Sequence, residues 1–103
     1  MLGGATSATF APHVGERFEV APAEGEPFTA VLSSCEETPY GSPQEWRRSA
    51  SRVPFSLVFH ADASCVIAQQ TCSLRHGALG GFDLFLVPLG PDERGMRYEA
   101  VIS

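Results

Sequence analysis

The sequence predicts a small all-β fold, a mainly antiparallel barrel or sandwich of about six strands with one short helical turn. Three observations carry that expectation. Short runs with two-residue alternation of apolar side chains recur along the chain, the period of a strand with one buried face. Breaks rich in glycine and proline separate the runs, with 10 glycines and 8 prolines in all, so the chain reverses often. Every connection but one is short, and short connections join antiparallel neighbours. At 103 residues the chain is one domain, read as an extended leader over 1–14 and a β-domain over 15–103.

The elements follow in order. "RFEVAP" sets Phe18 and Val20 on one face, and "AEGEP" turns the chain with Gly25 supplying any positive φ. "FTAVLSSCEE" alternates Phe28, Ala30 and Leu32 against Thr29, Val31 and Ser33, completing a first hairpin over 15–36. "TPYGSPQEWRRSASRVP" is the one non-strand insertion. There Ser42, Pro43 and Glu45 fit an N-cap, a first-turn proline and a capping-box glutamate, so the helical turn is expected here, anchored by Trp46. "VPFSLVFHA" points Phe55, Leu57 and Phe59 one way and Ser56, Val58 and His60 the other. After the turn "DAS", the run "CVIAQQTCSLRH" reads as a long strand with Gln70, Cys72, Leu74 and His76 on one side. "GFDLFLVPLG" is apolar on both faces, as in a central strand. "GPDERGM" turns, and "RYEAVIS" is the final strand. The expected interior is Phe55, Leu57, Phe59, Leu74, Phe82, Leu84 and Leu86, with Gly77, Gly80 and Gly81 serving a turn.

Composition narrows the function classes. With 44% hydrophobic and 18% charged residues the chain is not a disordered one. Twelve acidic against seven basic residues give a net charge of −5, which disfavours nucleic acid and anionic lipid as partners. No apolar run reaches the roughly 18–20 residues of a membrane helix, so no membrane insertion is expected. "MLGGATSATFAPHVGERF" lacks the basic start and apolar stretch of a signal peptide. The expected location is the cytoplasm on synthesis, with later incorporation into a larger or extracellular assembly left open. Cys35, Cys65 and Cys72 are an odd set in a chain without an export signal, and read as free, reduced, mostly buried thiols.

The residues that could carry chemistry are few. His76-Gly-Ala-Leu-Gly-Gly has the letters of an oxyanion loop or a phosphate cradle. The first needs a nucleophile elbow and the second a helix after the glycines, whereas a strand follows here. The glycines therefore read as turn formers. His60, Asp62, Cys65, Cys72 and His76 are competent metal ligands, yet their spacing matches no zinc signature. Glu36 and Glu37 are adjacent, and in a strand point to opposite faces, so they cannot share a proton. Arg47, Arg48 and Arg52 beside Trp46 form a local basic patch, which an acidic chain more readily uses on acidic side chains than on nucleic acid. No catalytic residue, metal or cofactor is assigned.

"RVPFSLVFHA", "QQTCSLRHGALGGFDLFLVPLG" and "YEAVIS" together resemble a group of small uncharacterised bacterial all-β proteins. That pattern covers Pro54 to Phe59, Gln69 or Gln70 to Pro88, and Tyr98 to Val101, with "FAPHVGERFEV" matching loosely. Cys72 stands where the pattern has an aromatic, and the chain ends in Ile-Ser rather than Phe-Asn. What the resemblance implies is a context without chemistry: its members are often encoded near phage-tail-collar-like proteins.

The resulting expectation is a non-enzymatic structural or assembly component of a tail-like, fibre-like or filamentous bacterial structure, with protein partners or further copies of itself. An unclosed sheet leaves edges, and Phe10 in the leader with Tyr98 and Val101 in the last strand are the residues expected to serve self-association. The alternative is a small ligand-binding barrel whose pocket opens near Trp46, His60 and His76. A weaker third reading is a metal-dependent or hydrolytic enzyme.

Overall fold

The computed structural model describes residues 7–37 and 55–102. Six strands form a closed antiparallel barrel: β1 (Arg17–Pro22), β2 (Phe28–Glu37), β3 (Phe55–Ala61), β4 (Gln70–His76), β5 (Gly80–Asp92) and β6 (Gly95–Ile102). Around the barrel they run β1-β2-β3-β6-β5-β4, and β1 returns to β4. Glu19 pairs with Arg75 and Val20 with Leu74 at that closing seam. The expected all-β fold is therefore the barrel, and it closes without the free sheet edges expected for strand addition.

Alternation places the core. Phe18 and Val20, Ala30 and Leu32, Phe55, Leu57, Phe59 and Ala61, Cys72 and Leu74, Phe82, Leu84 and Leu86, and Met96, Tyr98, Ala100 and Ile102 all point inward and are buried. All seven residues expected inside are there. The "GFDLFLVPLG" run differs from its reading. Asp83 and Phe85 face outward, and Phe85 is 51% exposed, because a barrel wall has solvent on one side where a central sheet has a second layer. "CVIAQ" is likewise not strand: β4 begins at Gln70, and the residues before it form a loop.

That loop closes one end of the barrel. The Tyr98 hydroxyl, inside the barrel, donates to the Cys65 carbonyl at 2.6 Å and accepts the Ile67 N–H at 2.9 Å. Burial raises the Tyr98 pKa, which keeps the hydroxyl a donor. Phe28 packs beside its ring, with centroids 5.9 Å apart.

The leader closes the other end. Residues 7–13 are helical, an α-turn (α1, Ser7–Phe10) running into a 3₁₀ turn (Ala11–His13), and so correct the expected extended leader. Phe10 is the reason: it is 1% exposed, and its ring meets Phe55 at 5.8 Å and Phe82 at 5.7 Å. Coiling the chain lets this aromatic drop into the barrel mouth, which outweighs any gain from lying extended in water. The helical turn expected around Ser42 and Glu45, with Trp46 and Arg47, Arg48 and Arg52, lies outside the described residues.

Two irregularities shape the wall. A bulge between Leu32 and Ser34 leaves Ser33 outside the β2–β3 register, and a second falls between Pro88 and Gly90. Bulges bend a strand and re-aim the side chain they carry.

Candidate functional site

The barrel wall separates the two histidines that the sequence groups with Trp46. His76 is on the inward face of β4 at the mouth plugged by Phe10, and is buried against Phe18. His60 is on the outward face of β3, toward the opposite end. The interior between them is filled with side chains, so a single pocket joining them does not exist among the described residues. A groove lined by Glu19, Ser73, Arg75 and Asp83 lies on the outer wall.

His76 organises its own hairpin. Its Nδ1 accepts the backbone N–H groups of Ala78 at 3.0 Å and Leu79 at 3.2 Å, so the ring proton sits on Nε2. Nε2 then donates to Glu16 Oε1 at 2.7 Å, and His13 Nδ1 donates to the same oxygen at 2.8 Å. These two hydrogen bonds, His13's first, hold the Glu16 pKa below its ordinary value. Glu16 thus latches the N-terminal turn onto the β4–β5 hairpin. Of the three turn glycines, Gly80 carries the positive φ, +79°. The sequence reading placed this turn here and offered its histidine as a ligand-binding or metal-binding candidate, whereas the structure turns His76 onto the hairpin's own backbone. Accordingly, His76→Ala is expected to lower stability by about 1–3 kcal/mol, because two hairpin N–H groups lose their acceptor. A urea midpoint unchanged from the parent chain contradicts that role.

His13, Glu16 and His76 also place three ligand-type atoms within 4.8 Å of one another. Two histidines and one carboxylate form a recognised metal-binding set. The chemistry of His76 opposes that use. A metal-bound imidazole presents its other ring nitrogen as an N–H to an acceptor, whereas Nδ1 of His76 faces two donors. The ligand types weighed from sequence do not assemble either. Asp62 caps its own turn through the Ser64 N–H and hydroxyl, which lower its pKa. Cys72 is buried inside the barrel, while Cys35 and Cys65 are half-buried against the core. Burial raises the thiol pKa of Cys35 and Cys72 and makes them poor nucleophiles.

His60 has a different environment. Its Nε2 bonds Asp92 Oδ2 at 2.9 Å, and its Nδ1 bonds the Ser33 hydroxyl. Asp92 is fixed in turn by the Arg94 N–H on Oδ1 at 2.8 Å, with the Arg97 guanidinium 3.8 Å from Oδ2. The His60 bond first, and the Arg94 N–H second, lower the Asp92 pKa.

The self-association residues divide. Phe10 and Tyr98 are buried, as barrel plug and loop anchor, and are corrected as surface contacts. Val101 is 49% exposed on the outer face of β6. Phe85 is likewise exposed on the outer face of β5, the strand next to β6, beyond the ladder that begins at Val87 and Glu99. Leu89, at the second bulge, is also exposed. The sequence pattern hid Phe85 inside a continuous apolar run. It gave no sign of Glu16, Ser33 or Asp92, whose bonds to His76 and His60 span 27 to 60 residues.

No curated protein and no solved structure matches the chain. A family model described as a domain of unknown function, DUF6916, matches residues 5–102. Plug, latch, both histidine networks and the exposed β5–β6 face all lie within that span, and the chain belongs to this family of unknown function.

Proposed function

We propose that the protein is a structural subunit of a bacterial assembly of tail-like, fibre-like or filamentous kind, joining further copies of itself through the outer face of β5 and β6. The observation that supports this reading is the exposure there of Phe85, Leu89 and Val101 on adjacent strands. Large apolar side chains gathered on one outer face lose free energy to water and regain it when a second surface covers them. The filled interior supports the same reading over a ligand-binding barrel, since the core leaves the wall as the working surface. The closed sheet also means that association is face to face, not by strand addition.

Light scattering on the eluting full chain tests it. The expected result is a multimer that Phe85→Glu converts to monomer, with an unchanged far-ultraviolet circular dichroism spectrum. A charge at 51% exposure costs the monomer little and costs an apolar interface several-fold in affinity or more. A parent chain that stays monomeric at high concentration overturns the proposal.

A further inference from the structure

Ser33, His60 and Asp92 form a continuous hydrogen-bonded chain from three strands. An ionised carboxylate only accepts, so Nε2 of His60 carries the proton it gives Asp92. In the neutral ring Nδ1 is then a bare lone pair that accepts from the Ser33 hydroxyl. A hydroxyl donating to an imidazole whose other nitrogen is oriented by a carboxylate is the arrangement that activates a serine nucleophile. The nitrogens exchange the places they have in the best-known proteases, which changes neither the base nor the direction of proton flow.

The setting favours reactivity over mere bracing. Asp92 is held by the Arg94 N–H and approached by Arg97 from its own hairpin, so it is positioned before His60 reaches it. His60 is 12% exposed in its side chain, shielded enough to keep its orientation. Ser33 is the extra residue of the β2 bulge, outside the register and half-buried. Bulges occur often beside active sites because they re-aim a side chain in this way. Val31 lies two residues before Ser33 on the same outer face, and Val58 faces outward on the neighbouring strand, opposite Ser34. The same face also carries charge, since the register sets Arg17 opposite Val31, Glu99 opposite Val58 and Arg97 opposite His60.

We infer that Ser33 is a nucleophile toward carboxylic esters, with His60 as its base and Asp92 as the positioning residue. In the first step Ser33 Oγ bonds to the acyl carbon and its proton passes to His60 Nδ1. The carbon–oxygen bond to the alcohol then breaks, and the alcohol leaves with that proton. Water repeats the sequence: its oxygen attacks the acyl-serine, its proton passes through His60 to Ser33 Oγ, and the carboxylic acid departs. This inference is independent of the assembly reading, since the three residues lie away from Phe85 and need no second copy.

The test is labelling of the full chain by an alkyl fluorophosphonate, with the modified residue located by mass spectrometry. Ser33 Oγ bonds to phosphorus, fluoride leaves, and the proton departs through His60 to water. The expected result is one adduct, on Ser33, absent after denaturation in urea. His60→Ala is expected to slow labelling by about 100-fold or more, the usual contribution of a general base. Asp92→Asn should slow it while leaving the circular dichroism spectrum unchanged, and hydrolysis of p-nitrophenyl acetate should fall in parallel. If His60→Ala unfolds the chain, His60→Gln supplies the comparison. No adduct at Ser33, or equal labelling of native, denatured and His60-substituted chains, overturns the inference.

Discussion

Gly95→Ala is expected to lower stability by about 3–5 kcal/mol, enough to leave a domain of this size largely unfolded. Gly95 opens β6 after the two-residue turn at Glu93 and Arg94, with φ at +131°, a region that L side chains rarely adopt. A Cβ placed there meets the Ala61 carbonyl oxygen at 2.1 Å and its carbon at 3.2 Å. Both are backbone atoms of β3, whose register with β6 pairs Ala61 with Met96, so relief requires the two strands to part. Gly80→Ala provides the comparison. It has the same kind of dihedral, φ +79°, but no heavy atom within 4 Å of its Cβ position, and should cost only about 1–2 kcal/mol. Urea unfolding of the two variants side by side measures the difference. Equal midpoints refute the close approach of Gly95 to Ala61.

Phe10→Ala is expected to cost about 3–5 kcal/mol, the loss for truncating a fully buried phenylalanine. The ring fills the barrel mouth against Phe55 and Phe82, and the Cys35 thiol reaches the Ser7 carbonyl at 3.5 Å beside it. Removing it opens a cavity lined by the buried rings of Phe55 and Phe82, which lose those contacts outright. A frayed terminal segment predicts a change within about 0.5 kcal/mol. Thermal and urea midpoints separate the two outcomes directly, and limited proteolysis should release the first residues only in the variant.

The sequence revealed most of the fold because strand alternation is a local signal. Phe55, Leu57 and Phe59, or Leu74 with Cys72, announce an inward face without reference to any partner. Closure was not legible. Whether six strands make a barrel or a sandwich depends on Glu19 meeting Arg75, a pairing with no trace in either run alone. The leader misled for a related reason: one aromatic among small residues has no periodicity, and only the mouth formed by Phe55 and Phe82 gives Phe10 a destination. Phe85 illustrates the opposite difficulty. Its neighbours Leu84 and Leu86 are core, and a continuous apolar run conceals the single member that faces water. The serine and carboxylates of the two histidine networks are ordinary surface residue types, so the histidines were visible and their partners were not.

The position of β6 between β3 and β5 also governs how the chain folds as it is made. It is the last strand synthesised, yet it occupies a place in the middle of the wall, with Phe55 to Ala61 on one side and Val87 to Asp92 on the other. Until residues 95–102 are available, β3 and β5 each present an open row of backbone donors and acceptors. Without those residues the other five strands have two unpaired borders that the closed barrel lacks. Aggregation is the hazard of such open borders, and pairing of β6 with β3 and β5 removes both of them.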